Sequence, residues 1–446
     1  MNDLDAVSLF SNCGAGDKGF AQAGFTFRVM AEVDERRLGV AALNHDKAVC
    51  VSGDLRNTWP EVVKSYRVGQ SKGRVTLLSA CPPCQGMSSA RGHRGQESDA
   101  RAGSRDHRNL LVEVIAQVAK ELEPRLLVVE NVPAFLSRLV LDPRDRQPIS
   151  AAALLVDILR KEYQVYPFLA DLADFGVPQR RVRAFLTFVR RNDLMLEHLE
   201  ASEAVPYPSL QGLPGGGPIR RTLGDALAEL RALPLDAKSQ SDARDEQEPM
   251  HSVPVWGDDH RYRMVAAIPS GSGRRAWQNS CCDRCGEVEV GSDDAMCPEC
   301  EGPLLRPVVR ERDGSYRLVK GFRNSSYSRM SPNVPAATIT TASGHVGSDL
   351  TVHPFENRVL SPLECAYLQT FPADFQWGDA LQKWGTTHVR AMIGEAVPPR
   401  FTELHGQALV DLLAGHVEKL AKSNDPMVGK AWERLNRHLS VEGEIV

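Results

Sequence analysis

The chain has 446 residues, of which 42% are hydrophobic and 25% charged, and a formal net charge of −4. That length suits two domains, the apolar share suffices for packed cores, and the slight acidity excludes a uniformly basic nucleic-acid binder, so any nucleic-acid contact must come from local basic patches. No apolar run approaches the ~20 residues that span a bilayer, and the opening MNDLDAVSLF lacks a basic region followed by an apolar core, so the expectation is a soluble cytoplasmic protein with reduced thiols.

In chain order, residues 6–10 (AVSLF) read as a short buried strand that runs into the turn SNCGAGDKGF. A second apolar run, 27–33, carries Glu32 near its end and Asp34 just beyond, and a third, 75–80, leads into CPPCQG. Leu110, Leu111, Val114, Ile115, Val118 and Leu122 recur at helical spacing until Pro124 stops them. A fourth run, 126–129, leads into ENVP. Apolar strands without alternation, separated by helices, predict a parallel sheet covered on both faces, with ligands at the C-terminal strand ends. From about 200 to 345 the text turns to Pro, Gly and charge, and helical patterns return at ECAYLQTF and after Pro399.

Three fragments carry reactive groups. Cys84 follows a strand on a Pro- and Gly-rich turn, where a thiol can serve as a nucleophile, although CPPC also has the spacing of a dithiol redox pair. Glu130 ends another strand, where a partly dry carboxyl can pass a proton to a base. Arg181 and Arg183 alternate in QRRVR, so on a strand both would point to one face and could hold a carbonyl or a phosphate.

SLFSNCGAGDKGF, AEVD, GDL, PPCQG, ENVP, QRRVR, RVLSPLECAYLQTFP and IGEAVPP, in this order, resemble the successive motifs of the DNA cytosine-5 methyltransferase family over roughly residues 6–190 and 335–415. The resemblance implies a Rossmann-like α/β catalytic domain dependent on S-adenosylmethionine, with a smaller, irregular target-recognition domain. It divides the chain into catalytic residues 1–195, recognition residues 196–340, a return to the catalytic domain at 341–425 and a tail at 426–446. It implies that Cys84 adds to cytosine position 6, that Glu130 protonates or hydrogen-bonds ring nitrogen 3, and that Arg181 and Arg183 hold the base carbonyl and the pocket. Cys81 lies outside the matching triplet and is given a packing role.

The cofactor site implied is the turn with Phe10, Cys13, Gly14 and Gly16, then Glu32 and Val33 for the ribose, Asp54 and Leu55 for the adenine, and Glu395 and Ala396 at the amino-acid end. A generic nucleotide loop, for NAD, is the rival reading of this turn, and Cys84 and Glu130 argue against it. Two departures stand out: Asn12 and Ala15 replace glycines, and Gly394-Glu395-Ala396-Val397 replaces Gly-Asn-Ala-Val. The Glu395 carboxylate is expected to pair with the cofactor's ammonium group.

A base must leave the duplex for this chemistry. The stretch after Cys84, with Arg91, Arg94, Arg101, Arg105 and Arg108, is read as a mobile loop that closes over the DNA backbone. Cys282-x2-Cys285 and, after eleven residues, Cys297-x2-Cys300 predict a tetrahedral structural zinc site, with Cys281 as a spare ligand for Cys282. Arg306, Arg310, Arg312, Arg317, Lys320, Arg323 and Arg329 follow and are expected to supply contacts to double-stranded DNA. A monomer is expected. RNA cytosine is the rival substrate, a non-enzymatic regulatory module the rival role, and any partner nuclease would be a separate polypeptide.

Overall fold

Apolar runs that do not alternate need cover on both faces, and the computed structural model provides it for residues 4–69, 74–83, 110–287, 290–320, 326–348 and 350–439, the portion it describes. Strands β1 (Leu4–Leu9), β2 (Phe25–Glu32), β3 (Val49–Ser52), β4 (Leu77–Ala80) and β5 (Leu126–Asn131) run parallel. All of β5 is buried. After a small hairpin, β6 (Leu139–Leu141) with β7 (Pro148–Ser150), come β8 (Tyr163–Asp171) and β9 (Val182–Arg190). The seven-stranded order is β3-β2-β1-β4-β5-β9-β8, and β9 is antiparallel to both neighbours. The sheet is therefore mixed, not wholly parallel. The link from β8 to β9 holds only a 3-10 turn, Leu172–Asp174, which is too short for a crossover helix, so the strand must return antiparallel.

The helices are α1 (Ala15–Gln22), α2 (Glu35–Asn44), α3 (Leu55–Gly69), α4 (Leu111–Leu122), α5 (Ala151–Leu159), α6 (Leu194–Ser202), α7 (Leu223–Leu230), α8 (His260–Ala266), α9 (Pro362–Leu368), α10 (Ala380–Glu395), α11 (Pro399–Leu413) and α12 (Pro426–Asn436). Their starts follow local chemistry. Asp34 caps α2 through the Arg36 amide, Ser150 caps α5 through the Ala153 amide, and Ser361 with Glu364 closes a capping box behind Pro362.

One sheet face packs against α3, α4 and α5, joined by Ala431 and Leu435 of α12. Residues 426–436, read from sequence as part of a tail, are thus a core helix. The other face buries Phe20 of α1, Leu38 of α2 and Phe401 and Leu409 of α11. Helix α1 lies so close to α11 that a Cβ on Gly19 would sit 2.2 Å from the Pro399 carbonyl oxygen. Strand β10 (Ala204–Pro208) pairs antiparallel with β13 (Leu420–Lys422), tying the end of the first segment to the C-terminal one.

Between them, Trp256, Val265, Ile268, Val352 and Val359 form a separate small core. A two-stranded ribbon, β11 (Val308–Arg310) with β12 (Tyr316–Leu318), follows the cysteine cluster. Among the described residues no helix is long and apolar enough to cross a membrane.

Candidate active site and cysteine cluster

A cavity opens at the C-terminal ends of β1, β4 and β5, with Phe10, Asn12, Gly16, Cys81, Glu130 and Ala396 in its wall. Cys84 and the arginine-bearing stretch to residue 109 lie outside the described residues. Among the described residues, Asn131, at the end of β5, donates through Nδ2 to the Pro82 carbonyl at 2.9 Å and so holds the segment that follows β4.

The turn after β1 bends through left-handed backbone at Phe10 (φ 58°), Asn12 (φ 49°) and Gly14 (φ 75°). Asparagine tolerates that region better than most side chains, which explains how it substitutes for glycine here. Its amide also stitches the site together. The backbone N–H donates to Glu32 Oε2 at 2.9 Å, and Nδ2 donates to the Met392 carbonyl of α10 at 2.9 Å. A Cβ on Gly14 would lie 2.9 Å from the His45 ring. Gly16 accepts the Thr402 hydroxyl at 2.7 Å through its carbonyl.

The other residues expected at the cofactor divide into two groups. Cys13 and Leu55 are buried in packing clusters and do not line the cavity; burial pushes the Cys13 thiol up to about 12. Glu32 ends β2 with Oε1 accepting the Val33 amide at 2.9 Å, while the Val33 side chain is exposed. Asp54 is outside the cavity wall, and its carboxylate is held by Arg56, whose hydrogen bond lowers it below the usual carboxylate range.

Glu130 faces the cavity between two partners. Arg183 Nε lies 3.0 Å from Oε1, and Cys81 Sγ lies 2.8 Å from Oε2. Cys81 therefore has more than a packing role: it is a polar contact of Glu130. Arg181 departs further from expectation. It is 2% exposed and donates to three carbonyls, those of Ile339 at 3.1 Å, Gly394 at 3.0 Å and Ala396 at 2.9 Å. The two arginines do not act on one face. Arg183 meets Glu130, whereas Arg181 clamps the backbone that forms the far wall of the cavity. Gln179 extends the clamp, accepting the Ile339 amide at 3.0 Å and donating to Leu368 O at 3.0 Å.

Glu395 lines the cavity but is ion-paired with Arg37 of α2, so its carboxylate is already neutralised. Pairing with the cofactor's ammonium, as expected from the sequence, would compete with this Arg37 contact. A half-buried acid needs a cation, and the glutamate in place of the family's asparagine was the signal for one. Asp17, in the first turn of α1, was missed altogether. It lines the cavity and accepts the Ser8 hydroxyl at 2.7 Å. Ser8 and Ser79 inside otherwise apolar strands were the visible sign, since buried hydroxyls require polar partners.

In the irregular region, the Sγ atoms of Cys282, Cys285, Cys297 and Cys300 all lie within 4.8 Å of one another. Cys282 to Cys300 and Cys285 to Cys297 are each 3.6 Å apart. Cys281 is outside the cluster; its thiol contacts the Cys282 carbonyl. Two of the arginines expected at DNA are instead structural. Arg306 donates to the carbonyls of Asn279, Gly291 and Asp294 at 2.6–2.8 Å, and Arg329 to those of His353, Glu356 and Val265 at 2.6–3.1 Å. Arg317 pairs with Glu311, while Arg310, Arg312 and Lys320 are exposed; Arg323 lies outside the described residues.

Comparison with known proteins gives a consistent result. The family model "C-5 cytosine-specific DNA methylase" matches residues 4–410. The chain is 25% identical over 415 residues to the type II methyltransferase M1.HgaI of Avibacterium volantium, covering 90% of this chain and 96% of that one. It is 24% identical over 465 residues to the type II methyltransferase M.AgeI of Thalassovita gelatinovora, covering 92% and 99%. Its fold is shared with an E. coli protein assigned as a DNA modification methyltransferase encoded within a prophage, at a TM-score of 0.57 and 18% identity, covering 92% of this chain and all of that one.

Proposed function

Since this chain belongs to the C-5 cytosine-specific DNA methylase family, we propose that it methylates ring position 5 of a flipped-out cytosine in a specific duplex DNA sequence through a covalent adduct on Cys84. The observation that carries the reading is the cavity in which Glu130, fixed by Arg183 and Cys81, shares a wall with the glycine-containing turn after β1. On this reading residues 1–195 and 341–425 are catalytic, 196–340 recognise the target, and the enzyme works in the cytoplasm as a monomer. As the modifying half of a restriction-modification or antiphage system, it would leave any cleavage to a separate nuclease.

The cavity fits S-adenosylmethionine by its lining: Phe10 and Gly16 of the tight turn after β1 and the buried acid Asp17 stand in its wall, and the strand-end acid Glu32 lies behind it, bonded to the amide of Asn12, which lines it. When bound, the cofactor supplies an electrophilic methyl group. Phe10, Gly14, Gly16 and Ala396 would hold its amino-acid end, Glu32 and Val33 its ribose, and Asp54, on release from Arg56, its adenine.

The remaining work falls to side chains. Extruding the base costs a few kcal/mol, which the arginine-bearing stretch after Cys84 repays through phosphate contacts. The Cys84 thiolate adds to position 6, forming a C–S bond and moving the ring's electron pair towards nitrogen 3. Glu130, in its protonated form, donates its proton or a hydrogen bond to that nitrogen as the charge builds. Arg183 fixes the plane of that carboxyl, and Arg181 keeps the opposite wall in place. Once position 5 carries the methyl group, a base, with water as the candidate, removes the proton from that carbon, and the thiolate leaves as the ring double bond re-forms.

We also propose that the four-cysteine cluster binds zinc. A tetrahedron with Zn–S bonds of about 2.3 Å puts its sulfurs about 3.8 Å apart, close to the 3.6 Å found for two of the pairs. The metal would staple the recognition region; no chemistry runs through it. The test of the whole reading is incubation with tritium-labelled cofactor and either duplex DNA or transfer RNA. Label in duplex DNA at cytosine is expected, and label in RNA alone would refute the substrate.

A further inference from the structure

Asp17 has no part in the chemistry above, yet its position is unusual for a carboxylate. It is 5% exposed and stands in the wall of the cavity that Glu130 also lines. Strand β1 offers it the Ser8 hydroxyl at 2.7 Å, and β4 offers the hydroxyl of Ser79. From α11, Thr402 lines the same cavity but spends its hydroxyl on the Gly16 and Pro399 carbonyls. Among the described residues no lysine, arginine or histidine forms an ion pair with it. The other charged groups of the cavity are already matched, Glu130 with Arg183 and Glu395 with Arg37, and on α11 Arg400 pairs with Glu403. Burial pushes the Asp17 carboxyl up to about 7, so near neutral pH it is poised between its two forms.

A poised, unmatched acid in a dry wall senses the charge of whatever enters. S-adenosylmethionine carries a sulfonium and an ammonium against one carboxylate, a net positive charge. After methyl transfer the sulfur is a neutral thioether and the product has no net charge. We propose that Asp17 selects the methyl donor over the spent product by charge: the arriving cation draws the carboxyl into its ionised form, the proton passes to solvent, and the attraction is lost when the sulfur becomes neutral. This rests on the reading of the cavity as the S-adenosylmethionine site. Low dielectric makes such an attraction worth far more here than in water.

The test is calorimetric binding of S-adenosylmethionine and of S-adenosylhomocysteine to the full chain at pH 7, without DNA. In the wild type, the binding enthalpy of the donor should vary with the buffer's ionisation enthalpy, reporting proton release, and that of the product should not. Asp17→Asn should weaken the donor about tenfold or more and the product less than about twofold. Equal loss of both ligands, or no loss of either, would overturn the inference. Because the proton-release comparison uses the wild type, it decides the matter even if the variant folds poorly; equal release for both ligands would also overturn it. A wild type that binds neither ligand defeats the methyl-donor reading itself, and the role of Asp17 falls with it.

Discussion

Replacing Arg181 by methionine separates a clamp from a base-binding group. The guanidinium is 2% exposed and donates to the carbonyls of Ile339, Gly394 and Ala396 at 2.9–3.1 Å. Methionine fills much of the same volume but leaves three carbonyls in dry surroundings. Hydrogen bonds from a charged donor contribute about 1.5–3 kcal/mol each. Removing the charge also removes its own desolvation penalty, so the net loss is smaller than their sum, about 3–5 kcal/mol as for other broken buried charge contacts. The wall those carbonyls build includes Ala396, so the cavity loosens with the fold.

Urea denaturation followed by circular dichroism, paired with cofactor binding, reads both consequences. A lower midpoint together with weaker S-adenosylmethionine binding in the absence of DNA is expected. Wild-type stability and cofactor affinity, with the loss confined to turnover on DNA, would refute the clamp and restore Arg181 to the base.

Burial alone would raise the Glu364 carboxyl, but the two-point contact with Arg358, at 2.7 and 2.8 Å, outweighs it and brings it down to about 2. Its stabilisation is therefore present above pH 4.5 and is lost as pH falls towards 2. Glu364→Gln should be less stable than wild type by about 3–5 kcal/mol near pH 7, and the gap should close as the solution is acidified; a gap independent of pH would contradict the ion pair. At the cavity, Glu395→Asn restores the family's residue but strands Arg37. Kinetics should show a higher KM for the cofactor in that variant than in the double variant Arg37→Gln/Glu395→Asn, and simple additivity of the two changes would disprove their coupling. The purified protein should hold about one zinc per chain, and a chelator should loosen residues 280–305 in hydrogen exchange while sparing the seven-stranded sheet; elemental analysis without zinc removes the metal.

The five parallel strands were legible in part because buried strands read as plain apolar runs. Four of the five were visible; β3 is only four residues long and two of them are exposed. Helix α4 was legible because its apolar positions recur at helical spacing. The antiparallel pair β8 and β9 was not, since direction depends on the connection and the connection has no periodicity. Helix α12 was hidden by its short apolar stripe and by its position after the last motif. At the site, the sequence located Glu130, but it gave charge without partners. Arg181, Arg306 and Arg329 looked like DNA contacts because their acceptors are backbone carbonyls, which every residue has and no sequence marks. Asn12 read as a loss until its backbone angle showed why glycine or asparagine suits that position. Asp17 was overlooked because its neighbours Ser8 and Ser79 come from two strands that meet only in the sheet.

Covalent capture on duplex DNA containing 5-fluorocytosine tests the central claim most directly, because fluorine at position 5 stops the reaction while the thiol is still attached. Wild-type protein with S-adenosylmethionine should give a denaturation-resistant protein–DNA adduct, Cys81→Ala should still form it, and Cys84→Ala should not. An adduct that survives loss of Cys84, or that vanishes only with loss of Cys81, would contradict the account.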